Sequence, residues 1–186
     1  MVDRTISTIS VYSQTNFRFL TQPLWFSSLV FCTASLMLML IALFTPYWVT
    51  ESTPHGLIHG GLWSICLDPN CNFYPINLAW FVHATRTLLI LGTICGFLAW
   101  CCICLSFVRT QVNSVSLISL SSIFSITAGT LFFFGICIFT YMYRNSRPYS
   151  QHLIIFGSSY SLAWACIPMF IITGALLKKT HRILFQ

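Results

Sequence analysis

The stretch LWFSSLVFCTASLMLMLIALFT, residues 24–45, contains no charged side chain. A helix of this length crosses a hydrocarbon core about 30 Å thick, because each residue advances the helix by about 1.5 Å. Three further stretches, 87–108, 115–141 and 153–177, are at least as long and lack Asp, Glu, Lys, Arg and His. The sequence therefore predicts four transmembrane helices at these positions.

The composition agrees with lipid as the surrounding medium. Of the 186 residues, 56% are hydrophobic and only 6% are charged, whereas about a quarter are charged in ordinary soluble domains. We therefore predict one all-α membrane domain, a four-helix transmembrane bundle in the lipid bilayer. The net charge of +6 comes from basic residues scattered beside the spans, which argues against binding to nucleic acid.

The basic residues predict the orientation, because cytoplasmic segments carry an excess of Lys and Arg. One side of the predicted membrane has Arg4, Arg18, Arg109, Lys178, Lys179 and Arg182, and the other has Arg86, Arg144 and Arg147. This distribution favours cytoplasmic termini in a multi-pass protein of the plasma membrane. The predicted cytoplasmic segments are the tails 1–23 and 178–186 and the turn 109–114, and the predicted extracellular loops are 46–86 and 142–152.

Small residues at a spacing of four predict where the helices pack, since they allow helix backbones to approach closely in lipid. The rows are Gly92 and Gly96 in the second span, Ser121, Ser125 and Gly129 in the third, and Gly157, Ser161 and Ala165 in the fourth. We interpret them as contacts that close the bundle. Dimerisation through these rows is the alternative.

The first outer loop contains the runs YWVTE, LIHGGLWSI and CNFYP, which predict a small antiparallel sheet. Cys66 and Cys71 are the two cysteines in polar sequence, and they face an oxidising compartment. Their spacing allows a disulfide worth roughly 2 kcal/mol, with two free thiols as the alternative. Trp48 and Trp63 are predicted to pack against this bridge.

Six residues of this loop carry a resemblance to a known family. Their order resembles the W…G-L-W…C…C signature of the claudin, epithelial membrane protein and peripheral myelin protein superfamily, and they are Trp48, Gly61, Leu62, Trp63, Cys66 and Cys71. The short interval between the cysteines and the FGSSYSLAW stretch at 156–164 resemble the lens fibre intrinsic membrane protein branch. The resemblance implies a claudin-like left-handed bundle with a small extracellular antiparallel β-sheet, and a place at cell contacts.

Two features depart from the claudin pattern. The chain ends in ILFQ, unlike the PDZ-binding ends of many claudins, which argues against attachment to a junction scaffold of that kind. The first outer loop offers Glu51 and Asp68 as its acidic residues, which is too little clustered charge for a charge-selective pore.

Catalytic, cofactor and metal sites are not predicted. The acids of the chain are Asp3, Glu51 and Asp68, and none lies in a predicted span, where a hydrolytic triad or a proton pathway would require one. His55 and His59 have a spacing that suits a metal on a helix, but the neighbouring Pro and Gly favour solvated histidines in a loop or strand.

Two further groups of residues have open alternatives. Arg86, at the beginning of the second span, is predicted to extend to the lipid headgroups, with an ion pair to Glu51 or Asp68 as the alternative. Cys101, Cys102 and Cys104 lie near the cytoplasmic end of the second span, where they are candidates for S-palmitoylation, with inert thiols as the alternative.

The functional hypothesis is a non-enzymatic tetraspan protein that acts in cell contact, adhesion or organisation of cell junctions through its outer loops. Leu57, Ile58, Phe73 and Tyr74 are the predicted contact residues. The expected partners are membrane proteins in cis or in trans, including a second copy of the chain. The alternative is an auxiliary subunit that modulates the gating or trafficking of a channel or receptor.

Overall fold

Four helices form the body of the protein. The computed structural model describes residues 2–53, 56–67, 70–74, 79–108, 111–112, 115–145 and 154–185. The helices are α1 (Val2–Phe44), α2 (Trp80–Ser106), α3 (Leu117–Asn145) and α4 (Ser158–Phe185). α2 packs along α3, α3 along α4 and α4 along α1, and a smaller contact between α1 and α2 closes the bundle. Each helix contains a stretch long and apolar enough to cross a membrane, which confirms the predicted membrane bundle.

The helix ends differ from the limits of the predicted spans. α1 begins at Val2 and continues through Pro23, so residues 2–23 of the predicted tail are helical. α2 begins at Trp80 rather than at 87, and α4 continues beyond 177 to Phe185. A charged residue ends the apolar part of a helix, but the backbone hydrogen bonds of the helix can continue past it. Hydropathy therefore locates the membrane span rather than the ends of the helix.

A five-stranded antiparallel sheet covers one end of the bundle. Its strands are β1 (Val49–Thr53), β2 (Gly56–Gly60), β3 (Ser64–Leu67), β4 (Asn70–Phe73) and β7 (Ile154–Phe156), in the order β4-β3-β2-β1-β7. The predicted sheet is therefore confirmed, and the run LIHGGLWSI overlaps two of its strands, β2 and β3. At the other end of the bundle, β5 (Gln111–Val112) and β6 (Val115–Ser116) form a hairpin where we predicted a turn and the start of a helix.

Strand β7 corrects the prediction that residues 153–177 form one helix. Ile155 pairs with Thr50 and Phe156 pairs with Val49, so the second outer loop adds an edge strand to the sheet of the first. A short apolar run has the same appearance in a strand and in a buried helix, which explains the error.

The small residues predicted in α2 and α3 lie between helices. A Cβ atom at Gly92 would be 2.5 Å from the ring of Phe132, and one at Gly96 would be 2.9 Å from Phe170. The Ser125 hydroxyl donates a hydrogen bond of 2.8 Å to the Phe170 carbonyl oxygen across the α3–α4 contact. These rows therefore close the bundle, as predicted.

The row predicted in the fourth span is wrong as a bundle contact. Gly157 precedes α4, while Ser161 and Ala165 are exposed on its surface. The buried face of α4 contains Ala163 and Cys166 instead. A helix that is apolar on all sides gives no period to show which face is buried, so spacing alone selected the wrong row.

Candidate interaction surface on the sheet

Trp48 anchors the sheet to three helices. Its side chain is fully buried, and its indole Nε1–H donates a hydrogen bond of 2.6 Å to the Ala42 carbonyl in α1. The ring makes edge contacts with Phe139 of α3 at 5.2 Å and Tyr160 of α4 at 6.1 Å. These contacts are with the helices, whereas the prediction placed Trp48 against the disulfide.

Gly61 allows the turn between β2 and β3 to lie directly on the end of α1. A Cβ atom at Gly61 would be 2.6 Å from the Cα of Pro46 and 2.9 Å from the Thr45 carbonyl oxygen. Both neighbours are backbone atoms, which cannot move aside as a flexible side chain can. The position therefore requires glycine because of close approach.

Arg86 connects α2 to the same turn. Its Nε donates a hydrogen bond of 2.8 Å to the Leu62 carbonyl oxygen, and its Nη2 donates to the same oxygen. The guanidinium lies 4.8 Å above the Trp63 ring, whose Nε1–H donates to the Leu43 carbonyl at 2.9 Å. The sequence predicted lipid headgroups for this side chain, with an ion pair as the alternative, and neither includes the hydrogen bonds to the turn.

A second close approach, which was not predicted, joins the end of β7 to the segment that follows α1. A Cβ atom at Gly157 would be 2.2 Å from the Tyr47 carbonyl oxygen. The Gly157 amide donates to the Trp48 carbonyl at 3.0 Å, and the Thr45 and Ser159 hydroxyls are 2.7 Å apart. The signal was present, since a glycine between an apolar run and a helix start marks such a junction, but spacing assigned Gly157 to a helix.

The disulfide links β3 to the edge strand β4. Cys66 and Cys71 are register partners and are joined by a disulfide bond, which selects the bridged alternative. His59 is opposite Cys66 on β2; it is buried and stacks on Tyr47 at 4.6 Å. The prediction of a solvated His59 is therefore wrong, and His55 lies outside the described residues.

The histidine and the two sulfurs do not form a ready metal site. Their potential ligand atoms lie within 4.8 Å of one another, but the sulfurs are bonded to each other. Metal binding to cysteine requires the thiolate. In the β1–β2 register Glu51 pairs with Ile58, and His59 pairs with Thr50. Adjacent residues of a strand point to opposite faces, so Glu51 and His59 lie on opposite faces of the sheet. That arrangement is not an acid–histidine pair for catalysis.

One face of the sheet, which we call the outer face, exposes apolar side chains. Leu57 on β2 is 47% exposed, Ile155 on β7 is 55% exposed and Phe73 on β4 is 85% exposed. The register places all three on the face that also contains His59 and Cys66. Ile155 was not among the predicted contact residues, because its segment was assigned to a helix.

The other two predicted contact residues lie elsewhere. Ile58 and Tyr74 are half-buried and line a cavity between the sheet and the ends of α2 and α3. Side chains alternate along a strand, so the neighbours Leu57 and Ile58 cannot both belong to the outer face. Of the predicted contact residues, Leu57 and Phe73 are therefore the exposed pair.

The candidate palmitoylation sites Cys101, Cys102 and Cys104 lie at the end of α2 that is far from the sheet, and they differ in exposure. Cys102 is buried at 9% exposure, while Cys101 and Cys104 are half-buried. An acyl chain on Cys102 would have to displace neighbouring side chains of the bundle. Cys101 and Cys104 are therefore the better candidates.

Comparison with known proteins places these features in a wider group. A family model described as PMP-22/EMP/MP20/Claudin family matches residues 22–177, a range that includes the apolar part of α1 and the whole five-stranded sheet. Protein NKG7 of Mus musculus is 26% identical over 142 residues, which cover 76% of this chain and 82% of that protein.

Proposed function

Since the chain belongs to the PMP-22/EMP/MP20/Claudin family, we propose that it is a non-enzymatic tetraspan protein that organises cell contacts through the outer face of its sheet. The observation that carries this proposal is Phe73, which is 85% exposed on the edge strand β4. A large apolar side chain on an exposed strand edge favours association with another protein.

The anchoring of the sheet supports this function. Trp48, Gly61 and Arg86 hold the sheet on the helices, and the disulfide holds β4 on the sheet. A fixed surface loses little conformational entropy on binding, so more of the interaction energy remains as affinity. Burial of one exposed Phe contributes about 1.5–3 kcal/mol, which suits a contact repeated over many copies in two apposed membranes.

The proposal places the sheet outside the cell and both termini in the cytoplasm, at the plasma membrane. The basic residues that predict this orientation include Lys178, Lys179 and Arg182 at the far end of α4, and Arg109, which lies outside the described residues. A short epitope inserted at 54–55 should be accessible to antibody on intact cells. An epitope at the C-terminus should require permeabilisation, and the opposite result would refute the orientation.

A cell aggregation assay tests the contact function. Cells that express the native chain should aggregate and should concentrate the protein at contacts, and the Phe73→Ser and Leu57→Ser double variant should do neither. Ser52→Ala is the matched control, because Ser52 is exposed on the outer face opposite Leu57 but is polar. Equal surface levels must be verified, and native-like aggregation of the double variant would contradict the proposal.

A second function has one observation in its favour. Ser161 and Ala165 form an exposed row of small residues on α4, which suits close packing against a helix of another membrane protein in cis. This surface fits an auxiliary subunit of a channel or receptor. Purification in mild detergent should then recover a stoichiometric pore-forming partner that Ala165→Leu releases and Phe73→Ser retains. Recovery of the chain alone would favour the contact function.

Acylation of Cys101 and Cys104, at the opposite end of α2, belongs to the same proposal, because an acyl chain would add a further hydrophobic contact with the bilayer. Acyl exchange with a mass tag should shift the native protein by one or two tags. The Cys101→Ser and Cys104→Ser double variant should show no shift, and Cys102→Ser should retain it. A native protein without any shift would contradict acylation.

A further inference from the structure

A cavity of about 280 Å³ lies where the sheet meets α2 and α3. One wall of the cavity is the face of the sheet opposite the outer face. This face contains Glu51 and its register partner Ile58, which is adjacent to Leu57 of the outer face. The opposite wall contains Phe81 from the start of α2 and Phe139 and Tyr143 from the end of α3. The contact proposed above does not use this cavity.

The chemistry of the lining combines aromatic rings with a carboxylate. Tyr74, Phe81, Phe139 and Tyr143 supply rings, and Phe139 and Tyr143 stack with their centroids 5.5 Å apart. Glu51 is the one carboxylate among the described lining residues. A carboxylate has about four acceptor positions, so Glu51 can attract a cation while it also serves other donors.

Aromatic rings and a carboxylate together recognise organic ammonium ions. The electron-rich face of a ring attracts a cation, and quaternary ammonium groups are bound by several rings at once. An inorganic cation would require several oxygen ligands in place of aromatic rings. The lining therefore favours an alkylated ammonium group, whose methyl groups are compatible with Ile58 and Val82.

The size and place of the cavity suit a headgroup. Its volume, about 280 Å³, is near the lower limit of roughly 300 Å³ for small-molecule sites and well above the ~150 Å³ that accommodates benzene. The cavity adjoins the ends of two membrane-spanning helices, which is the level of lipid headgroups. A lipid in the adjacent leaflet can therefore present its headgroup there while its acyl chains remain in the bilayer.

We propose that this cavity binds an organic ammonium cation, presented as the headgroup of a choline lipid in the leaflet next to the sheet. The proposal goes beyond contact formation and holds whichever side of the membrane the sheet faces. Glu51 neutralises the positive charge, and Phe139 and Tyr143 at the end of α3 supply aromatic contacts to the methyl groups.

The test measures lipid retained by the full-length protein after purification from micelles that contain equal amounts of phosphatidylcholine and phosphatidylglycerol. The native protein and Ser52→Ala should retain phosphatidylcholine preferentially. Glu51→Gln should lower that preference about tenfold, which corresponds to about 1.4 kcal/mol. Ser52 is the matched control because it is adjacent on β1 and points to the outer face.

A second variant and a soluble probe complete the experiment. Ile58→Trp should fill the cavity and abolish the preference without removal of a charge, so it tests the site if Glu51→Gln fails to fold. Choline chloride that displaces the lipid would show that the cation alone is recognised. If choline chloride does not displace the lipid, but Glu51→Gln still lowers the preference for phosphatidylcholine, the cavity requires the cation as part of a lipid. An equal content of both lipids in the native protein would overturn the proposal.

Discussion

The sheet has two contrasting regions, the base where it meets the helices and the free edge at β4. At the base, Trp48 and Leu62 are completely buried, and Gly61 lies against the backbone of the two residues that follow α1. At the free edge, every residue of β4 is exposed. The residues of the family signature thus shape the sheet, whereas the contact that we propose uses residues outside the signature, such as Phe73 and Leu57.

The disulfide connects the two regions. Cys66 on β3 is completely buried, and Cys71 on β4 is exposed. A covalent bond from the buried region to the edge therefore restrains a strand that has few packing contacts of its own. Substitutions at the base should reduce stability, and substitutions of edge side chains other than Cys71 should reduce contact formation alone.

The largest effect is expected from Trp48→Ala. Removal of a fully buried Trp leaves a cavity and two aromatic rings without their partner, which costs about 3–5 kcal/mol. We expect a marked fall in the Tm of the purified protein and little protein at the cell surface. Trp48→Phe should recover part of the loss, because it keeps a ring and removes the hydrogen bond to Ala42. A native Tm for Trp48→Ala would show that the base does not anchor the sheet.

Gly61→Ala should have the next largest effect. The added methyl group would meet the Pro46 backbone at 2.6 Å, and overpacking of this kind costs about 1–3 kcal/mol. Gly60→Ala is the matched control, because its methyl group would meet only the hydroxyl of Tyr74, at 3.0 Å. Thermal unfolding of both variants should show a lower Tm for Gly61→Ala, and equal values would refute the role of close approach.

Removal of the disulfide by the Cys66→Ser and Cys71→Ser double substitution should have an intermediate effect. The bridge closes a short loop with a sequence separation of 5, so its loss costs roughly 2 kcal/mol. The native protein should shift in mobility on reducing gels, and the variant should not. We also expect weaker cell aggregation, since β4 loses its covalent restraint. Full aggregation by the variant would show that the edge needs no such restraint.

Phe73→Ser should have the smallest effect on stability. Its side chain is 85% exposed, and exposed substitutions usually change the free energy of unfolding by less than about 0.5 kcal/mol. The Tm should remain native while aggregation falls, and this combination distinguishes the edge from the base. A Tm loss similar to that of Gly61→Ala would mean that Phe73 packs within the protein.

Features with a strong local signal could be predicted from the sequence. The charge-free run 24–45 predicted the first membrane helix, and the aromatic and β-branched runs predicted the sheet. Strand β7 could not be identified in this way, because Ile154–Phe156 is too short for its period to distinguish a strand from the start of a helix. The buried face of α4 was missed for a related reason, since both its faces are apolar.

The amino-acid sequence alone was sufficient to predict that the chain lies in lipid and that it crosses the membrane four times. The reason is that hydrocarbon excludes charge from each segment independently of the others. The disulfide was also predicted, with two free thiols as its alternative, since Cys66 and Cys71 are the two cysteines in polar sequence. Long-range contacts depend on which surfaces meet after the helices pack. The hydrogen bonds of Arg86 to Leu62 and the pairing of β7 with β1 therefore became visible only in the folded molecule.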